Sequence, residues 1–197
     1  SFARHMKLLA DMRPEAWPEF VLTVQTGCYT TRTSYASDSF DGYIWGDGAA
    51  AQVCSIKHQG RLKVEPLFFE TDPRGVDDVK VEGTGHFVQD GTKVREFSIR
   101  KTVELFEAIA AAKKLYAEEV YTVTHQANAV MMKSIIGHLN LPQERHIMNV
   151  VEQGNIAGAG MPSAVAQHLD KLKKSDQIVY AVLGAGLAWG GGLMEVR

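Results

Sequence analysis

Two short motifs hold the residue types that could do chemistry. Thr124-His125-Gln126-Ala127-Asn128 follows the β-rich run 119–123, and Gly154-Asn155-Ile156-Ala157-Gly158 follows the apolar run 147–151. Each opens a segment that reads as a helix. His125 and Asn155 therefore stand at the carboxyl ends of two strands, where α/β sheets gather their ligands. A neutral imidazole there can donate one hydrogen bond and accept another, and its surroundings readily tune its protonation. A lone histidine is more often a hydrogen-bonded structural residue, and a lone asparagine before a helix is most often an N-cap. Their matched positions favour a site. The low bulk of Ile156-Ala157-Gly158-Ala159-Gly160 would also let a substrate chain approach the backbone closely.

Two glycine-rich stretches invite other readings. Residues 184–192 fail as a dinucleotide loop, because that fingerprint needs a helix and a further strand after the turn. Their backbone N–H groups could instead stabilise an oxyanion, although close strand packing accounts for most of the glycines. Gly46-Asp47-Gly48 reads as a tight structural turn. His5, His58, His86, His138, His146 and His168 have no partners at metal-ligand spacing, so solvated structural roles are expected and no metal site. Cys28 and Cys54 form neither a disulfide framework nor a metal cluster. Neither stands at a helix N-terminus or beside a cation, as a low-pKa thiol wants.

The elements that must position these residues follow from periodicity. Phe2, Met6, Leu8 and Leu9 place a helix at the start, punctuated by Arg13-Pro14 and Trp17-Pro18. Residues 20–24 suit a strand buried on both faces, and 30–41 form a polar loop. Residues 43–45, 46–48 and 49–56 read as strand, turn and strand. Residues 62–69 read as another strand, and 72–90 as an irregular excursion. From 98 to 117, Val103, Leu105, Phe106, Ile109, Ala110 and Leu115 mark a helical face. A helix carrying Val130, Met131, Ile135, Ile136 and Leu139 follows His125. A second, with Pro162 in its first turn, runs to about Lys174. Strands are expected at 147–151 and 178–183, then a turn over 184–192 and a closing strand at 193–196. Strands alternating with helices imply an α/β layered architecture.

Composition excludes several classes. With 45% hydrophobic and 22% charged residues the chain is an ordinary globular one. A net charge of −2 gives no electrostatic footprint for nucleic acid or an anionic membrane. No apolar run reaches the roughly 20 residues of a membrane span. Unpaired cysteines favour a reducing, cytoplasmic setting.

Four segments, in order, resemble the β-ketoacyl-acyl-carrier-protein synthase III family of thiolase-fold condensing enzymes. They are Trp45-Gly46-Asp47-Gly48-Ala49-Ala50, His125-Gln126-Ala127-Asn128, Gly154-Asn155 and Gly184-Ala185-Gly186-Leu187-Ala188-Trp189-Gly190. The His-Gln-Ala-Asn form points away from chalcone synthases and chain-elongating synthases. The resemblance implies a thiolase-like layered fold, with mixed sheets, buried helices and only the C-terminal portion of the full fold. Residues 1–95 would end the N-terminal half, with an insertion, and 96–197 would form the C-terminal half. It also implies a Cys-His-Asn site. A cysteine carries the acyl group, while His125 and Asn155 hydrogen-bond the carbonyl of a malonyl-type thioester as carbon dioxide leaves. The amide of Ala185 helps hold the oxyanion. Gln126, Ala127, Asn128, Ala129 and Val130 would meet the carrier, although Val130 stands where the family commonly has an arginine and Lys133 is the nearest cation. The match of Ser1-Phe2-Ala3 to the segment after the family's nucleophile places that cysteine upstream of Ser1. The expected partners are an N-terminal portion of the synthase, as a separate or cleaved chain, and a second such unit in a dimer. Acyl-coenzyme A or acyl-carrier-protein thioesters are the expected substrates, with no further cofactor. A thiolase-fold acyltransferase without decarboxylation and a non-catalytic subunit are the alternatives.

Overall fold

The structure, a computed structural model, describes residues 2–36, 41–81, 83, 85–116 and 118–197. Ser1, positions 37–40 of the expected loop and Ala117 at the expected helix end lie outside the described residues. In chain order the main elements are α1 (Phe2–Asp11), β1 (Val21–Cys28), β2 (Asp47–Cys54), β3 (Leu62–Thr71), β4 (Val79–Val81), β5 (Phe87–Gln89) and α2 (Gly91–Lys113). Then come β6 (Tyr121–Thr124), α3 (Ala129–His138), β7 (His146–Ile147), α4 (Val150–Gln153), α5 (Gly160–His168), β8 (Gln177–Gly184) and β9 (Ala188–Val196).

The central sheet runs β3-β9-β8-β6-β7, with β8, β6 and β7 parallel and β3, β9 and β8 antiparallel. One face carries α1 and α5 through Phe2, Met6, Met161, Val165, Ile178 and Tyr180. The other carries α2 and α3 through Phe106, Ile109, Ile136, Val179 and Leu193. Beyond α1 and α5 lies a two-stranded antiparallel sheet, β1 with β2. The result is the expected layering of mixed sheets around buried helices.

Several elements depart from the sequence reading. β1 is not buried on both faces. Thr23 and Gln25 are buried, bonded to Gln52 and His5, while Leu22 and Val24 are exposed on the other face. Residues 43–45 form no strand and 46–48 no hairpin turn, since Asp47 and Gly48 already belong to β2 and Trp45 bridges to Asn155. The expected irregular excursion contains the hairpin β4–β5. α2 starts earlier than expected, at Gly91, where the Asp90 carboxylate caps the Lys93 N–H. β7 is two residues long and gives way to α4, and α5 stops at His168 before a 3-10 turn. β9 begins at Ala188, so Gly190, Gly191 and Gly192 are strand residues. A Cβ on Gly192 would stand 2.2 Å from the Glu65 carbonyl oxygen, which leaves room for hydrogen alone. Residues 95 and 96 both lie inside α2, and β3 shares a sheet with β9.

His146 is not solvated. It is buried at the start of β7, with Nδ1 2.7 Å from Thr122 Oγ1 of β6 and Nε2 without a partner among the described residues. Burial pushes its pKa down from 6.5 to about 4. Above pH 6.5 the folded and unfolded chains both hold it neutral. Between 6.5 and 4 the unfolded chain takes a proton on this residue that the fold refuses, so its contribution to stability falls on acidification, by about 2 kcal/mol at pH 5. Urea unfolding of the full-length protein at pH 7.5 and 5.0 should show that loss, and His146→Gln should reduce it. An equal loss in both proteins would assign the acid sensitivity elsewhere.

Candidate active site

His125 closes β6, where its N–H donates to the Ala181 carbonyl at 3.0 Å and fixes it against β8. Asn128 then caps α3, its Oδ1 accepting from Met131 N at 2.8 Å. Asn155 is placed by an unusual clamp. Its N–H donates to the Ile44 carbonyl at 2.7 Å, and its carbonyl accepts from Gly46 N at 3.1 Å. The Trp45-Gly46 segment thus runs as a single parallel bridge beside it. A Cβ on Gly46 would lie 2.0 Å from the Gln153 carbonyl oxygen, so this approach requires glycine. Gly154 turns the chain with φ +67°, in the left-handed region that glycine adopts at no steric cost.

These loops enclose a cavity of about 600 Å³, lined by His125, Ala127, Asn128, Asn155 and Ala185 among others. The ring nitrogens of His125 have no hydrogen-bond partner among the described residues, and its surroundings strip away most of its water. That burial lowers its pKa from 6.5 to about 4, so the ring is neutral at physiological pH. Asn155 is 5% exposed. Its Oδ1 accepts from Ala157 N at 2.9 Å, which leaves Nδ2 as a donor without a partner among the described residues. Ala185 lies exposed in the turn between β8 and β9. Two neutral donors and a backbone turn around one cavity can stabilise negative charge building on an oxygen.

The structure does not bring every expected residue to the cavity. Gln126 is fully enclosed and cannot meet a carrier. Its Nε2 donates to the Thr124 carbonyl at 3.0 Å and its Oε1 accepts from Asn149 N at 2.9 Å, so it struts β6 to the chain entering α4. Val130 is 71% exposed and lies outside the lining, as does Ala129. Cys28 is exposed beside Asp47, Cys54 sits in a separate apolar groove, and neither lines this cavity. Other lining residues carried no spacing signal. His5 of α1 pairs with Gln25 of β1 at 3.2 Å, so His5 too is no solvated residue. Tyr29, Trp45 and Phe87 form an aromatic cluster, with the Trp45 and Phe87 rings 4.4 Å apart. Among the described residues no group of three or more His, Cys, Asp or Glu side chains could hold a metal ion.

Residues 110–196, which include His125, Asn155 and Ala185, match the family model described as 3-oxoacyl-[acyl-carrier-protein] synthase III C terminal. This part of the chain belongs to the ketoacyl synthase III family. Among curated relatives, β-ketoacyl-[acyl-carrier-protein] synthase III 1 of Bacteroides thetaiotaomicron is 28% identical over 163 residues, 75% of this chain and 48% of that protein. The synthase III of Microcystis aeruginosa is 32% identical over 167 residues, 75% of this chain and 50% of that protein. The chain therefore spans about half the length of the synthase III relatives it matches. The crystal structure of synthase III from Thermus thermophilus superposes with a TM-score of 0.86 at 20% identity, covering 99% of this chain and 64% of that one. The fold is thus the thiolase-like fold of synthase III, in its C-terminal part.

Proposed function

We propose that this chain carries the histidine–asparagine half of a decarboxylative condensing site. The observation that carries the reading is the convergence of His125 and Asn155 on one cavity, each with an unengaged polar group. A malonyl-type thioester enters with its carbonyl oxygen between a His125 ring N–H and Asn155 Nδ2. As the carboxylate leaves as carbon dioxide, its electron pair passes to the α-carbon and the carbonyl oxygen. Both donors strengthen their hold on that enolate oxygen. The enolate carbon then attacks an acyl thioester, whose oxygen is received in part by the Ala185 N–H, and a thiolate departs.

Neither cysteine of the chain lines the cavity. Ala127, Asn128, Ala129 and the exposed Val130 are the carrier-facing residues of their motif, and substrates are thioesters of acyl-carrier protein or coenzyme A. The chemistry calls for no metal or separate cofactor. A dimer of such units in the cytoplasm is the expected assembly. No helix among the described residues is long and apolar enough to cross a membrane.

The test is release of labelled carbon dioxide from a carboxyl-labelled malonyl thioester by the full-length protein. Release coupled to a β-keto product supports condensation. Acyl transfer to an alcohol or amine with no release would establish the acyltransferase alternative, and no reaction of either kind would leave a non-catalytic subunit.

A further inference from the structure

α2 reaches the cavity with its first two turns, through Gly91, Val94, Arg95 and Ser98. Among the described lining residues Arg95 is the one permanently charged side chain. It is exposed and has no carboxylate partner among the described residues. Its cationic neighbours on α2 are engaged: Lys93 with Asp78 at 2.5 Å, and Arg100 and Lys101 with Glu104 at 3.1 and 2.7 Å. α3 packs beside α2 and opens onto the same cavity through Asn128 and Met131. It brings no charge there, because Val130 and Lys133 both lie outside the lining.

An unpaired arginine on a cavity rim gives the entrance a positive potential. Its planar fork of N–H donors matches phosphate oxygens two at a time. Ser98, one turn further along the same face of α2, is buried and adds a hydroxyl to that wall. The cavity therefore offers a charged rim leading to the two neutral donors, His125 and Asn155. A thioester borne on a phosphorylated arm has the same order of groups, phosphate outside and carbonyl within. A malonyl carboxylate fits Arg95 less well, because the proposed chemistry puts that group beside His125 and Asn155.

We propose that Arg95 is the specificity-determining cation that receives the phosphate of a phosphopantetheine arm. The inference rests on the condensing function proposed above. Coenzyme A and a carrier protein share this phosphate, so the probes are 4′-phosphopantetheine and pantetheine, which differ by that group alone. Calorimetric titration of the full-length protein should show about tenfold tighter binding of the phosphorylated probe. Arg95→Gln should abolish the difference and Arg95→Lys restore part of it, with melting temperatures unchanged because the side chain is exposed and unpartnered. A difference that persists in Arg95→Gln, or none in the native protein, would overturn the assignment.

Turnover separates the sources. A KM raised in Arg95→Gln for both malonyl-coenzyme A and malonyl carrier protein, with kcat unchanged, supports the shared phosphate. A KM raised for one alone would assign Arg95 to the nucleotide or to the carrier surface, and would overturn the phosphate reading. Carbon dioxide release from malonyl N-acetylcysteamine, which has no phosphate, tests the condensing function separately. Its failure would sink that function while the titrations still decide the role of Arg95.

Discussion

His125→Ala in the full-length protein is expected to cut carbon dioxide release from a malonyl thioester by a factor of about 100 to 1,000, the usual effect of removing one donor from a developing oxyanion. Asn155→Ala should do the same, because its Nδ2 is the second unengaged donor on that cavity. The double variant should lose little beyond either single one if both hold a single enolate oxygen, since groups acting as a unit are not additive. Acylation of the protein by an acyl thioester should survive in both single variants, which separates loss of decarboxylation from loss of folding. The pH profile adds a second check. Burial holds the His125 ring neutral down to about pH 4, so the rate should show no acid limb near the ordinary histidine value of about 6.5. Unimpaired carbon dioxide release in both variants would remove the assigned roles. An inflection near 6.5 that disappears in His125→Ala would show that the charge state of the ring, and not its neutral N–H, governs the step.

The parts of this site that could be read in the sequence are those in which one short segment sets both type and place. His125 ends a β-branched run and Asn128 caps the helix after it, so strand, turn and helix follow from five residues. What stayed hidden depends on segments brought together from a distance. The apolar run 20–24 suggested a doubly buried strand. The fold instead turns Thr23 and Gln25 inward, where they pair with Gln52 and His5, and leaves Leu22 and Val24 exposed. Gly46-Asp47-Gly48 suggested a hairpin turn. Its glycines serve contact instead, Gly46 against the Gln153 carbonyl and Gly48 against the Ile156 side chain. Arg95 gave no signal at all. It lies in a helix whose spacing reports only the buried side, and a cavity rim has no periodicity.

Gly46→Ala is the sharpest test of how the fold holds Asn155. The added methyl would sit 2.0 Å from the Gln153 carbonyl oxygen, closer than any non-bonded contact allows, and that oxygen is backbone. Neither side can swing away as a flexible side chain would. The strain must open the bridge in which Gly46 N donates to the Asn155 carbonyl and Asn155 N to the Ile44 carbonyl. Overpacking of this kind costs about 3 kcal/mol, and a shift of about 1 Å in a reacting group can lower a rate roughly a hundredfold. The variant should therefore melt several degrees lower and release carbon dioxide about a hundredfold more slowly. Its acylation by an acyl thioester should hold, because that step does not use Asn155. Gly60→Ala, whose new methyl would come no nearer than 3.9 Å to any described residue beyond its chain neighbours, should change stability by about 0.5 kcal/mol or less. If Gly46→Ala melts lower yet keeps full decarboxylation, the clamp serves the fold alone and Asn155 does not depend on it for its position.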